Sequence, residues 1–173
     1  MPRIARGKSQ TNYFHAMVQG IEKRFIFDNP VDMKIYIGLL QKNAPRSNVN
    51  ILAYCIMHNH AHILIAVKNT ENMSKFFRCV NTSYAQLFNA KNNRVGYVFR
   101  DRFKSEPIFT VKQLYNTINY IHNNPVKANI CENAQDYNFS SYNEYFENSK
   151  TINKRILNKY FQSFEIFKFP NNN

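Results

Sequence analysis

The patterned part of the chain begins with residues 13–19, where Phe14, Ala16 and Val18 alternate with His15 and Met17. Strand side chains point alternately to two faces, so this period predicts a first β-strand, ended by Gly20. His15 reads there as a structural residue on the sheet. Asp28, Asn29 and Pro30 form a cap-like opening. Met33, Tyr36, Ile37 and Leu40 then recur at helical spacing and predict a helix over 31–42, broken within 43–48 by Pro45. Residues 50–57 are apolar and predict a second strand. His58 and Asn59 make a tight turn into a third strand, 60–67, and strands joined so closely are antiparallel. In that third strand Ile63, Ile65 and Val67 take one face, and Leu64 and Ala66 the other. A strand apolar on both faces sits inside its sheet rather than at the edge.

Met73, Phe76, Phe77, Val80, Tyr84, Leu87 and Phe88 form the apolar stripe of a helix over 72–90. After a polar, basic loop, residues 97–105 interleave aromatic with basic side chains. That pattern suits either an edge strand with solvated cations or a surface that holds single-stranded nucleic acid. Thr110 is a candidate cap for a helix over 110–123, with Pro125 as its stop. Leu114, Ile118 and Ile121 form its buried seam. Further on, 138–146 is a turn-rich aromatic patch, 152–161 has helical spacing, and 164–169 is aromatic again. With no internal repeat and no long linker, the expected organisation is one domain, 1–147, and a mostly helical C-terminal extension, 148–173.

Composition narrows the partner. The 173 residues carry a formal charge of +12 at a hydrophobic fraction of 44%, a globular core under a strongly basic surface. Such an excess favours a polyanion. No apolar run approaches the ~18–20 residues that span a bilayer, and no basic amphipathic helix stands out, which leaves nucleic acid. Cys55, Cys79 and Cys131 are lone and widely spaced, so neither a disulfide framework nor a cysteine zinc site is expected. The N-terminus lacks the apolar core of a signal peptide, and the expected setting is cytoplasmic. The first twelve residues, with Arg3, Arg6 and Lys8, suit an arm that follows a phosphate backbone.

Candidate chemistry gathers at two places. His60 and His62 are one strand step apart and point the same way. Two neutral imidazoles at that spacing can hold one divalent metal, although a histidine pair can also be merely structural. His58 can share their face if the strand starts early. On the later helix, Tyr120 and Asn124 are four residues apart and share one flank, while Tyr115 and Asn119 share the opposite flank. Spacing does not choose between these two pairs.

Taken together, these residues resemble the IS200-like, single-tyrosine HUH transposases, and within them the REP-associated tyrosine transposases. His60-Ala61-His62 matches the family's His-hydrophobic-His motif, and Tyr120-Ile-His-Asn-Asn-Pro-Val-Lys-Ala matches its tyrosine motif. The opening Met-Pro-Arg-Ile-Ala-Arg, the stretch from Gly96 to Ser105 and Phe139-Ser-Ser-Tyr142 follow in the family's order. The resemblance spans most of residues 1–147.

This resemblance implies a ferredoxin-like or RRM-like α/β (α+β) fold, an antiparallel sheet with helices packed on one side of it. It implies Tyr120 as nucleophile and His60, His62 and Asn124 as ligands of Mg²⁺ or Mn²⁺. It implies cleavage and rejoining of single-stranded DNA beside hairpins through a 5′-phosphotyrosine, in DNA transposition or in processing of REP-like repeats. Arg3, Arg6, Arg100, Arg102 and Lys104 are the candidate DNA contacts. Related enzymes act as dimers or as monomers, so a homodimer stays open. Two other functions compete: a non-catalytic binding module on the same fold, and a metal-dependent phosphodiesterase that uses water.

Overall fold

A computed structural model describes residues 11–168. The alternation at its start becomes β1, Tyr13–Gln19, with every second residue buried. Asn29 caps the first helix, its side chain accepting from the Val31 and Asp32 amides, and Pro30 takes the first helical position, where its missing N–H costs nothing. This helix, α1, is Pro30–Arg46. It therefore runs through Pro45, the expected break. In the last turn proline removes a single bond, and the Ser47 amide still reaches the carbonyls of Asn43 and Ala44.

β2, Val49–Met57, and β3, His60–Val67, are joined by the predicted turn. α2 is Thr70–Lys91, and β4 is Lys104–Ile108. α3, Val111–Lys127, opens with a capping box between Thr110 and Gln113. It too passes its expected stop, Pro125. The Asn123 and Asn124 side-chain amides donate to the carbonyls of Asn119 and Tyr120, one turn back. The Ile121 carbonyl loses one bond, about 0.5–1.5 kcal/mol net. Burying Ile121 in full is worth about 1.5–3 kcal/mol, so packing outweighs the lost bond.

The sheet has strand order β2-β3-β1-β4, with all neighbours antiparallel. β3 is interior, as its two apolar faces require. Opposite residues share a face, so Met17, paired with both His62 and Lys104, and His15, paired with Glu106, lie on the histidine face. The other face carries Ala16, Val18, Ile63 and Ile65, all buried. The expectation of helices on one side needs correcting. α3 lies across the histidine face, its Tyr120 ring against His15 and His62. The opposite apolar face is left to α1 and α2. Between those helices Phe27, Tyr36 and Tyr84 pack with ring centroids 4.8–5.2 Å apart.

The outer edge of β2 is capped rather than open, which blocks pairing with another chain. The Ile56 amide donates to Phe139 O and the Ser141 amide to Tyr54 O, both at 2.9 Å. The Asn153 amide donates to Ile51 O at 2.8 Å. His122 of α3 meets Ser141 Oγ at 2.9 Å. Beyond residue 148 the helical expectation holds for α4, Lys154–Leu157, and for a short 3₁₀ helix, Phe164–Phe167. The segments between are turns and bends, and Leu157, Phe161 and Phe167 are buried in the same core. Among the described residues no helix is long and apolar enough to cross a membrane, and all three cysteines are free.

Candidate active site

β3 begins at His60, so that the strand's alternation sets His60 and His62 side by side, with ring centroids 4.9 Å apart. His62 is 4% exposed. α3 crosses above, and its pitch brings Tyr120 edge-on to His62, with centroids 5.4 Å apart and planes at 83°. These three residues, expected to act together, are brought together. Tyr120 is 42% exposed, open to a large substrate. Asn124, one turn on, is half-buried and held by its own helix, with its amide nitrogen 2.8 Å from the Tyr120 carbonyl oxygen. Its Oδ1 is the atom left to ligate.

The alternative pair resolves differently. Tyr115 stacks on Phe167 at 5.4 Å and its hydroxyl donates to Ile166 O. It is packing for the C-terminal segment, on the flank away from the histidines.

One residue expected to be structural belongs to the site. His15 Nε2 lies 2.9 Å from His62 Nδ1, and its ring is 5.8 Å from that of Tyr120. The signal was a histidine in phase with Met17 on β1, but only the β1–β3 register brings it to His62. His58, which the sequence allowed on the same face, lies before the start of β3. It sits in the turn, with its ring 5.4 Å from Phe25.

A cleft of about 420 Å³ opens here, lined among others by His15, Met17, His62, Lys104, Glu106 and Tyr120. Of the candidate DNA contacts, Lys104 lines this cleft. Lys127 Nζ lies 5.5 Å from the Tyr120 ring centroid, a second cation beside the nucleophile candidate that sequence spacing did not single out. Arg100 is exposed near Asp101, 3.7 Å away, and its amide bonds Gln19 O at the end of β1. Arg102 is exposed in the loop before β4. Arg3 and Arg6 lie outside the described residues.

The electrostatics favour neutral imidazoles. Burial drives His62 down to about 3, and the neighbouring His15 and His60 add to the shift. Burial also lowers His60. It lowers His15 too, where Glu106 works in the opposite direction. A neutral ring keeps the lone pair that a metal needs. His60 Nδ1 is 2.6 Å from Asn59 Oδ1, so Nδ1 of both histidines is engaged and Nε2 of each remains. Among the described residues no group of three or more His, Cys, Asp or Glu forms a metal cage. The donors these residues offer are the two Nε2 lone pairs of the histidines and, one turn beyond Tyr120, the amide oxygen of Asn124, atom types that suit a divalent ion whose remaining positions are filled by water or substrate.

Comparison with known proteins gives the family and the fold. The sequence model of the family described as IS200-like transposase matches residues 8–124. Among solved structures, a REP-associated tyrosine transposase bound to a REP hairpin is similar at a TM-score of 0.69 and 15% identity, over 88% of this chain and 92% of that one. A putative transposase from Deinococcus radiodurans R1 matches at 0.47 and 12% identity, over 70% of this chain and 97% of that one, a likeness too slight to bear on the fold. No curated protein sequence matches the chain.

Proposed function

The chain belongs to the IS200-like transposase family, and from that premise we propose that it cleaves and rejoins single-stranded DNA beside hairpins through a covalent phosphotyrosine on Tyr120. The observation that carries this reading is the meeting of Tyr120 with His62, with rings 5.4 Å apart, on a cleft open to solvent.

In this reading Tyr120 Oη attacks the scissile phosphorus. The bond from phosphorus to tyrosine forms and the P–O3′ bond breaks. The phenol gives up its proton, and the 3′ oxygen leaves as a hydroxyl after gaining one. The ester keeps the energy of the phosphodiester, so a later 3′ hydroxyl can reverse the step and join a new strand. Water as the nucleophile would forfeit that rejoining.

His60, His62 and Asn124 would hold Mg²⁺ or Mn²⁺, which when bound polarises the phosphate and neutralises its developing charge. Imidazoles suit Mn²⁺ better than Mg²⁺. α3 fixes the phenol relative to the histidines, since Tyr120 and Asn124 lie one turn apart on a helix seated by Leu114, Ile118 and Ile121. Positioning of this kind replaces the entropy of a bimolecular encounter. Lys104 and Lys127 add positive charge where the strand's phosphates would lie. The basic surface supplies sequence-independent affinity.

The test is a denaturing gel with end-labelled single-stranded hairpin DNA from the repeats flanking its own gene. Cleavage with Mn²⁺ or Mg²⁺, lost with chelator and in Tyr120→Phe, is the expected result. Cleavage by Tyr120→Phe at the wild-type rate would overturn the proposal in favour of a water-using phosphodiesterase.

A further inference from the structure

Both strand histidines use Nδ1 in a hydrogen bond, but the partners differ in kind. The Asn59 side chain is oriented by its own nitrogen, which donates to the Lys23 carbonyl at 3.2 Å. Its Oδ1 therefore faces His60 Nδ1. An amide oxygen only accepts, so the His60 proton sits on Nδ1 and its Nε2 carries the lone pair. His62 Nδ1 instead meets another imidazole nitrogen, His15 Nε2, at 2.9 Å. That bond holds one proton, and its place decides what His62 can do. With the proton on His15, a neutral His62 carries its own on Nε2 and cannot ligate there. With the proton on His62, His15 is the acceptor and the His62 Nε2 lone pair is free.

We propose that His15 is a positioning residue: it accepts the Nδ1–H of His62 and so presents Nε2 of His62 to the metal, as Asn59 does for His60. The inference rests on the reading of His60 and His62 as ligands. Three features of the fold support it. β1 runs between β3 and β4, so His15 stands between His62 on one side and Glu106, its register partner, on the other. A carboxylate accepts and does not donate, so Glu106 favours a proton on the His15 nitrogen that does not face His62. The His15 and His62 rings are held 5.1 Å apart at 30°, which keeps the two nitrogens facing each other. Partners of this kind set ligand tautomer and orientation, and losing one typically weakens metal affinity about 10–100-fold.

Two measurements on the full chain test this without reference to DNA cleavage. Long-range ¹⁵N–¹H spectra of the metal-free protein read the ring tautomers, and His62 is expected as the Nδ1–H form. Mn²⁺ titration followed by electron paramagnetic resonance reads affinity. His15→Phe, which keeps a ring but no acceptor, is expected to bind Mn²⁺ about 10–100-fold more weakly, while His15→Gln, which keeps an acceptor oxygen, stays close to wild type. An Nε2–H tautomer of His62 in the wild type, or unchanged Mn²⁺ affinity in a folded His15→Phe, overturns the proposal. If His15→Phe does not fold, the wild-type spectrum still decides. Mn²⁺ binding that survives His62→Ala unchanged overturns the ligand reading itself, a result that the tautomer spectrum distinguishes from failure of the His15–His62 bond.

Discussion

The ring of Tyr120 stands edge-on to that of His62, 5.4 Å between centroids and 83° between planes. The two residues lie 58 positions apart in sequence. One is on an interior strand, the other on a helix laid across that strand's face. Their meeting needs both the sheet register and the continuation of α3, and it creates a half-exposed phenol beside neutral imidazoles.

Replacing Tyr120 with Phe removes only the hydroxyl from this arrangement. Because the ring is 42% exposed, stability should change by no more than about 0.5 kcal/mol. Hairpin DNA binding should persist while covalent adduct and cleavage disappear. Thermal unfolding, a binding titration and a cleavage gel on one preparation check all three parts.

His60→Ala removes one imidazole of the proposed metal pair. Mn²⁺ affinity should fall by at least the ~10–100-fold seen when outer partners of a ligand are lost, and cleavage should be abolished. Calorimetric titration of Mn²⁺ gives the first number. Full cleavage by this variant would remove the metal site from the account.

Arg100, Arg102 and Lys104 are the candidate DNA contacts among the described residues, and as cations they are expected to meet phosphates rather than base edges. Changing all three to Ala should weaken binding of different single strands about equally. The slope of log affinity against log salt should flatten by up to about 2, near 0.7 for each phosphate that is no longer neutralised. A change confined to one DNA sequence would instead mean base recognition.

His122 is an acid-sensitive element of the fold, away from the cleft. It is 1% exposed, its Nδ1 has no hydrogen-bond partner among the described residues, and burial drives it down to about 3. An unfolded imidazole titrates near 6.5. Between about 6.5 and 3 the unfolded chain holds the extra proton, so stability falls as pH falls, by up to about 1.4 kcal/mol per unit for this residue. His122→Phe should lose about 1 kcal/mol at pH 7.5 with the Ser141 bond, yet decline less steeply on acidification. Urea midpoints at pH 7.5, 6 and 5 make the comparison, and equal slopes would contradict it.

Much of this architecture was legible locally. The alternation of Phe14, Ala16 and Val18 gave β1 its full extent, and Asn29 and Thr110 cap helices as their side-chain chemistry directs. The errors share a cause. Pro45 and Pro125 carry a strong local preference against helix, which tertiary burial of Ala44 and Ile121 overrides. His15 looked structural because its partner lies on another strand, 47 residues away. Tyr115 and Tyr120 have the same helical spacing to an asparagine, and only the packing of Phe167 on one and of His62 on the other separates them. Register and packing partners are long-range quantities, absent from any single window of sequence.

The most direct test of the central claim is to locate the covalent bond. The protein is incubated with single-stranded hairpin DNA and Mn²⁺, digested with nuclease and protease, and its peptides analysed by mass spectrometry. The account predicts a nucleotide linked through phosphate to the peptide containing Tyr120, absent in Tyr120→Phe. A phosphate-linked nucleotide on Tyr115, or cleaved DNA with no modified peptide, would contradict it.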